Sequence, residues 1–222
     1  MKQLEVLDLG RCLYGKAWDI QKKLHRKRVE GSIPDTLVLV EHPHVYTLGK
    51  HANAQHLVAS REYLKTRGIE IYQVDRGGDI TYHGPGQLVT YPIFNLKEHR
   101  ESIAWYVDRV EEVLIRTLKT YGIESGRVHG LTGVWVGDRK IAAIGMRVSR
   151  WVTMHGFALN VSTDLSLYDG IIPCGIVSKG ITRVSDFVAA VEWDEVKTRV
   201  IANFVEIFGF ERVETILQEL PT

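Results

Sequence analysis

An α/β chain of the α+β type, with helices laid against a mixed, largely antiparallel sheet, is the fold class the sequence predicts. Two observations carry it. The strand-like and helix-like segments follow neither a βαβαβ alternation nor an all-β succession. Residues 133–161 read as three apolar strands joined by short turns, the pattern of a β-meander. The 222 residues suit one large domain, taken as residues 1–222, since no repeat, low-complexity tract or clear linker interrupts them.

Leu4–Leu9 reads as a strand, and Tyr14–Arg28 as a helix with Ala17, Trp18, Gln21 and Leu24 on one face. Thr36–Val40 and Val45–Leu48 are short strands around Pro43. Ser60 suits an N-cap and Gly68 a C-terminal stop, which bounds a short helix. Ile69–Val74 leads as a strand into a glycine-rich run, and Leu88–Leu96 leaves it as another. Ile103, Tyr106, Val107, Val110, Val113, Leu114 and Leu118 recur at spacings of three and four, so the clearest amphipathic helix runs to Tyr121 and ends at Gly122. Gly133–Val136, a Gly137-Asp138 turn, Lys140–Val148 and Val152–Val161 make the meander. Asp194 is the expected N-cap of a last helix that stops at Gly209.

Composition excludes several classes. With 28 Lys and Arg against 27 Asp and Glu, the net charge of +1 gives no pull toward nucleic acid or membranes. Lys22, Lys23, His25, Arg26, Lys27 and Arg28 read as the solvated face of the first helix rather than a nucleic-acid patch, because no aromatic residues interleave them. No apolar run reaches the length of a membrane span and no signal-peptide core opens the chain, so a cytoplasmic location is expected. Cys12 and Cys174 are read as independent thiols. His42 and His44 form the single HxH, but Pro43 lies between them and no third ligand is near, so no metal is expected.

Arg76–Gln87, RGGDITYHGPGQ, is the densest run of special residues. Gly77, Gly78, Gly84 and Gly86 let the main chain approach a ligand closely, while Arg76 and His83 supply hydrogen-bond donors. The run reads as a loop between two strands. Cys174, between Pro173 and Gly175, sits in a stretch too glycine-rich for a core strand and suits a nucleophile. Cys12 reads as an inert buried thiol. Lys140, which opens the apolar strand KIAAIG, is the candidate helper that ionises Cys174; its bland alternative is an edge charge after the turn.

RGGDITYHGPGQLVTYP, GVWVGDRKIAAIG, HGFALNV and PCGI, in that order, resemble the lipoyl(octanoyl) transferases of lipoate biosynthesis, and EHPHVYTLGK is similar to the family's N-terminal strand signature. The match spans Val38–Asp186. The resemblance implies a biotin/lipoate-protein-ligase-like fold. It implies octanoyl-acyl carrier protein as donor and a lysine of a lipoyl domain as acceptor, on 2-oxoacid dehydrogenase E2 subunits and the glycine cleavage H protein. ATP and metal are not implied, and a monomer is expected. Carried over by position, Cys174 is the acyl-thioester nucleophile and Lys140 the residue that lowers its pKa. Arg76, Gly77, Gly78, Asp79, Ile80, Thr81, Tyr82 and His83, with Ala143, Ile144, Gly145, Gly156, Phe157 and Ala158, line the substrate pocket. Asp79 and Tyr82 fall where the motif varies.

Exchange of one thioester for another is nearly balanced, and conversion of a thioester to an amide is downhill, so the implied reaction needs no nucleotide. Lys140 could act as cation toward the thiolate and as amine toward the incoming lysine, the two groups titrating as a pair. Ala142 joins Gly77, Gly78, Ala143 and Gly145 as a candidate wall residue, and His83 is either an oxyanion-site donor or a structural member of its turn. Two rivals stand beside this reading: an ATP-dependent lipoate ligase of the same fold, and a noncatalytic module that holds an acyl or biotin-like ligand.

Overall fold

The computed structural model describes residues 2–172 and 179–216. Twelve strands and four α-helices are found among them. In chain order these are β1 (Gln3–Arg11), α1 (Tyr14–Val29), β2 (Asp35–Glu41), β3 (Val45–Leu48), α2 (Arg61–Arg67), β4 (Glu70–Gln73), β5 (Ile80–His83) and β6 (Gln87–Ile93). They continue with α3 (Ile103–Lys119), β7 (Gly126–Val128), β8 (Leu131–Val136), β9 (Arg139–Ser149), β10 (Val152–Asn160), β11 (Gly180–Ile181), α4 (Trp193–Phe208) and β12 (Arg212–Ile216).

The main sheet runs β12-β1-β2-β6-β10-β9-β8-β7, with β11 beside β9. Five of its pairings are antiparallel, and β12-β1, β1-β2 and β11-β9 are parallel, so the mixed, largely antiparallel expectation holds. A second sheet, β4-β3-β5, stands apart from it.

Helices cover both faces of the main sheet because its strands are apolar on both sides. On one face, Tyr106, Val110, Val113, Leu114 and Leu118 of α3 form a buried stripe that meets Phe204 and Phe208 of α4 over Leu37, Leu88 and Phe157. Burial of that stripe, at about 25 cal/mol per Å² of apolar surface, is the main force that seats α3. Ser102 caps it by accepting from Trp105 N at 3.2 Å. On the opposite face Ala17 of α1 packs with Val38, Val40, Val89, Tyr91 and Ala158. Buried Cys12 belongs to this cluster, and desolvation raises its thiol pKa, as an inert thiol requires. The small sheet has its own core of Tyr46, Ile80, Tyr82, Leu167 and Tyr168.

Several boundaries differ from expectation. The glycine-rich run is not one loop: Ile80–His83 pairs antiparallel with β3, so the run crosses from the small sheet to the large one. β7, β11 and β12 were not anticipated either; each is short and takes its conformation from the strand beside it. The last helix starts two residues earlier than expected, with Glu192 at the N-cap and Asp194 inside its acidic first turn. Ser60 and Gly68 do bound α2, with Gly68 left-handed at φ +62°.

Pro92 lies in the central strand β6 opposite Leu37, where a proline donates nothing to the ladder. On its other side, β10 keeps register with β6 over Phe157–Asn160 and departs toward His155. There the chain takes φ +59°, and the His155 N–H goes to Gln21 Oε1 of α1 at 3.0 Å instead of to a strand.

Candidate active site

The first half of the glycine run is stitched between two backbones. Gly77 N donates to Met146 O of β9 at 2.7 Å, while Lys50 N and His51 N donate to Arg76 O and Gly78 O. Gly78 holds φ +85°, which a side chain would strain. A Cβ on Gly145 would press within 3.2 Å of Gly77 O and Arg76 Cδ, so the β9 wall must be bare at that point.

Arg76 is buried and its guanidinium reaches β3, Nη2 donating to Thr47 O at 2.6 Å and to Thr47 Oγ1 at 3.0 Å. Thr47 Oγ1 lies 3.5 Å from His83 Nε2, and His83 Nδ1 lies 2.8 Å from Gln87 Oε1. Gln87 Nε2 in turn donates to Tyr82 O and to Asn160 Oδ1. Complete burial pushes the His83 pKa down to about 3, so the ring is neutral, with Nδ1–H donating to Gln87 and Nε2 accepting. Between the two alternatives for His83, this geometry supplies the structural one: both ring nitrogens are engaged in a chain that joins the small sheet to β6 and β10.

Two cavities meet at Lys140. One, about 450 Å³, is lined by Arg76–Thr81, His83, Tyr14, Tyr91, Ala143–Met146 and His155–Ala158. The other, about 530 Å³, is lined by Trp135, Asn160, Tyr168, Ile171, Ile172, Lys179 and Gly180 among others. Ile80, Thr81, Lys140 and Ala143 belong to both walls. Both volumes suit small organic ligands. Lys140 sits opposite Trp135 across β8 and β9, its Nζ 4.8 Å from the indole centroid. Beneath its stem lies Gly133, where a Cβ would come 3.4 Å from Lys140 Cε.

Of the sequence-derived pocket residues, Arg76, Gly77, Gly78, Asp79, Ile80, Thr81, His83, Ala143, Ile144, Gly145, Gly156, Phe157 and Ala158 all line the 450 Å³ cavity with Lys140. Tyr82 does not: it is buried in the small-sheet core, where its hydroxyl meets His44 Nδ1 at 2.8 Å. Ala142 also turns away, into the core beneath α3 and α4. Asp79 ties down the neighbouring turn, pairing with His56 and accepting from Asn53 N at 3.1 Å. Cys174, with Pro173 and Gly175, lies outside the described residues, while Ile172 and Lys179 on either side of that segment line the 530 Å³ cavity.

His42 and His44 do not converge. Buried His42 donates from Nδ1 to Cys12 O at 2.7 Å and accepts at Nε2 from the Tyr91 hydroxyl at 2.7 Å, and burial lowers its pKa to about 4. Among the described residues no group of three or more His, Cys, Asp or Glu side chains is placed to hold a metal.

Sequence reasoning missed His155. It is buried in the cavity wall with a positive φ; its Nε2 lies 2.8 Å from Asp75 Oδ1, and Asp75 also pairs with Arg147. Only tertiary packing reveals this, because HGF inside an apolar strand carries no signal of a left-handed residue.

This arrangement defines an α+β protein whose central sheet and glycine-rich run line a pocket that meets a second one at a lysine. It is the architecture of lipoate ligases: the chain is similar to the bi-partite lipoate protein ligase of Thermoplasma acidophilum at 21% identity, 98% of this chain, 89% of that one and a TM-score of 0.75. Lipoate-protein ligase A bound with ATP superposes equally well, at 20% identity over 98% of this chain and 90% of that one, with a TM-score of 0.75. The chain belongs to the family described as the lipoyl protein ligase A/B catalytic domain, whose model matches residues 14–205. Among curated relatives, the octanoyltransferase of Solibacter usitatus is 48% identical over 95% of this chain and 96% of its own length. That of Chloroflexus aurantiacus is 48% identical over 97% and 99%.

Proposed function

We propose that this chain is an acyltransferase that moves an octanoyl group from acyl carrier protein to a lysine of lipoyl domains, in lipoate biosynthesis. The observation that carries the reading is the near-full-length similarity to octanoyltransferases combined with a bare-walled cavity that ends at Lys140. The whole chain acts as one catalytic unit. Its acceptors are the lipoyl domains of 2-oxoacid dehydrogenase E2 subunits and the glycine cleavage H protein, and its site is cytoplasmic.

Cys174, as thiolate, attacks the carrier's thioester carbonyl. The new C–S bond forms as the carrier's C–S bond breaks, and the departing carrier thiolate takes a proton from the Lys140 ammonium, which leaves Lys140 as the neutral amine. The acceptor ε-amine then attacks the Cys174 thioester; a C–N bond forms, the bond to Cys174 breaks, and the amine's proton passes through Lys140 to the departing sulfur. Lys140 as ammonium favours the thiolate before acylation, and as amine takes the proton afterwards. Support for this pairing comes from Ile172 and Lys179, the neighbours of the segment that carries Cys174, on the wall of a cavity that also holds Lys140.

The acyl chain would lie over the face that β9 and β10 present to the cavity, where Ala143 is paired with Ala158 and Gly145 with Gly156 across the ladder. About six methylenes at ~0.8 kcal/mol each give ~5 kcal/mol of preference over an acetyl group. Intact-mass analysis after incubation with octanoyl-carrier protein, without ATP, should show one octanoyl adduct that hydroxylamine removes and that Cys174→Ala lacks. Continued transfer by a protein that never becomes acylated would exclude the covalent route.

A further inference from the structure

We infer that Lys179 is a positioning residue of acyl transfer: a second ammonium, set against the same indole as Lys140, that drives Lys140 to release its proton and keeps it the free amine until the acceptor lysine arrives. The inference rests on the acyl-transfer reading above and adds a residue that works through Lys140.

The geometry leads there. Lys140 Nζ lies 4.8 Å and Lys179 Nζ 5.7 Å from the ring centre of Trp135, so the two nitrogens are no more than about 10.5 Å apart. Trp135 is buried and its Nε1 donates to Leu131 O at 3.2 Å, which fixes the indole that both ammonium groups contact. Lys179 Nζ also donates to Asp138 Oδ1 at 2.8 Å, a charge-assisted bond that anchors the cation in place. The Asp138 side chain is 86% exposed against 26% for that of Lys179, so water screens the carboxylate more than its partner. Both lysines and Trp135 line the 530 Å³ cavity.

One lysine has two conflicting tasks in this reaction. Lys140 must be charged to favour a thiolate, then must give its proton to the departing carrier sulfur and stay neutral for the acceptor amine. A second cation outside the proton path keeps the cavity positive while Lys140 changes state. A like charge nearby disfavours the protonated amine. At about 10 Å, with an effective dielectric constant of about 20 to 40 and some offset by Asp138, the displacement is about half a pH unit to one.

Other charged and titratable groups around Lys140 do not supply this field. The Arg139 guanidinium stacks on Phe187 at 5.5 Å. On the 450 Å³ cavity wall Arg76 is tied to Thr47 and Asp79 to His56. Asp169 and Tyr168 line the 530 Å³ cavity with Lys140; an anion at Asp169 would hold the proton on the lysine, and the Tyr168 hydroxyl accepts from Gln87 Nε2.

Competitive acetylation of the folded protein with trace acetic anhydride at a series of pH values, read peptide by peptide by mass spectrometry, titrates the Lys140 amine without turnover. In Lys179→Met the midpoint should rise by about half a pH unit to one. In Lys179→Arg, which keeps the charge, it should stay within about 0.2 of wild type. Salt at about 0.5 M should shrink the difference between wild type and Lys179→Met, because the Debye length falls to roughly 4 Å. Single-turnover transfer from the octanoylated enzyme should slow about 3- to 10-fold in Lys179→Met near neutral pH and recover as the pH rises past the Lys140 midpoint. The acceptor's own ionisation is common to all three proteins. A Lys140 midpoint that is the same in wild type and both variants overturns the inference, as does slowing by one factor at every pH, which would mark a structural role. If the midpoint moves as expected but the wild type transfers no octanoyl group to a lipoyl domain, the acyl-transfer reading falls while the coupling of Lys179 to Lys140 stands.

Discussion

Lys140 carries the sharpest expectation at the scale of single residues. Its stem lies over Gly133 and its ammonium over Trp135, so Arg at this position could keep the charge near the indole. A guanidinium nevertheless remains protonated at any working pH and cannot take a proton from the acceptor amine. Lys140→Arg should therefore lose roughly 10²- to 10⁴-fold in multiple-turnover octanoyl transfer, the usual worth of a positioned base. Near wild-type turnover would remove Lys140 from proton transfer. The lysine was legible in the sequence because a charged residue opening KIAAIG has little reason to face a bare wall. Its partner Trp135 was not, since the bulge between Val134 and Trp135 sets that pairing and nothing in GVWVG announces it. His83 was seen as special but left open, because its role depends on Thr47 and Gln87, which meet it only in the folded chain.

Elements that generate their own burial pattern were read well, and elements that borrow it were not. The α3 stripe and the three meander strands have strong periodicity and appear close to the expected bounds. β5 has four residues set among glycines and exists because β3 offers its edge; β12 likewise depends on β1. The pairing of β6 with β10 is where element geometry bears most directly on the pocket. At Gly156 a Cβ would collide with the Thr90 carbonyl oxygen and lie 2.7 Å from Pro92 Cδ, both parts of a central strand that cannot retreat. Gly156→Ala should destabilise the protein by about 3 kcal/mol, an overpacking effect at its upper range, read as a lower denaturant midpoint with an unchanged slope. A midpoint within about 0.5 kcal/mol of wild type would mean that β10 can slide away from β6.

Across the whole molecule, the seams between the two sheets and α1 are built from neutral histidines, and that choice sets the acid limit of stability. His42 is depressed to about 4 and His83 to about 3, both chiefly by burial. Below their ordinary value of about 6.5 the unfolded chain binds these protons while the fold does not, so the unfolded state gains protons first. Stability should be intact above pH ~6.5 and fall as the pH drops toward the folded values, by about 1.4 kcal/mol per pH unit for each histidine. Asp75 works in the same sense over a lower window. Its pKa is held near 2, first by the hydrogen bond from His155, so its stabilisation is present above the ordinary carboxylate range and is lost only as the pH falls from about 4 toward 2. The two windows predict an acid transition that begins at the histidines and not at the carboxylates. Replacing His83 with Gln, which retains an amide hydrogen-bonding end but cannot titrate, should flatten the fall in thermal midpoint between pH 6 and pH 4 whatever its effect at pH 7. If the slope in that window is the same with and without His83, this imidazole is protonated in the folded state, and the neutral chain from Arg76 through Thr47 to Gln87 is wired differently from the one described.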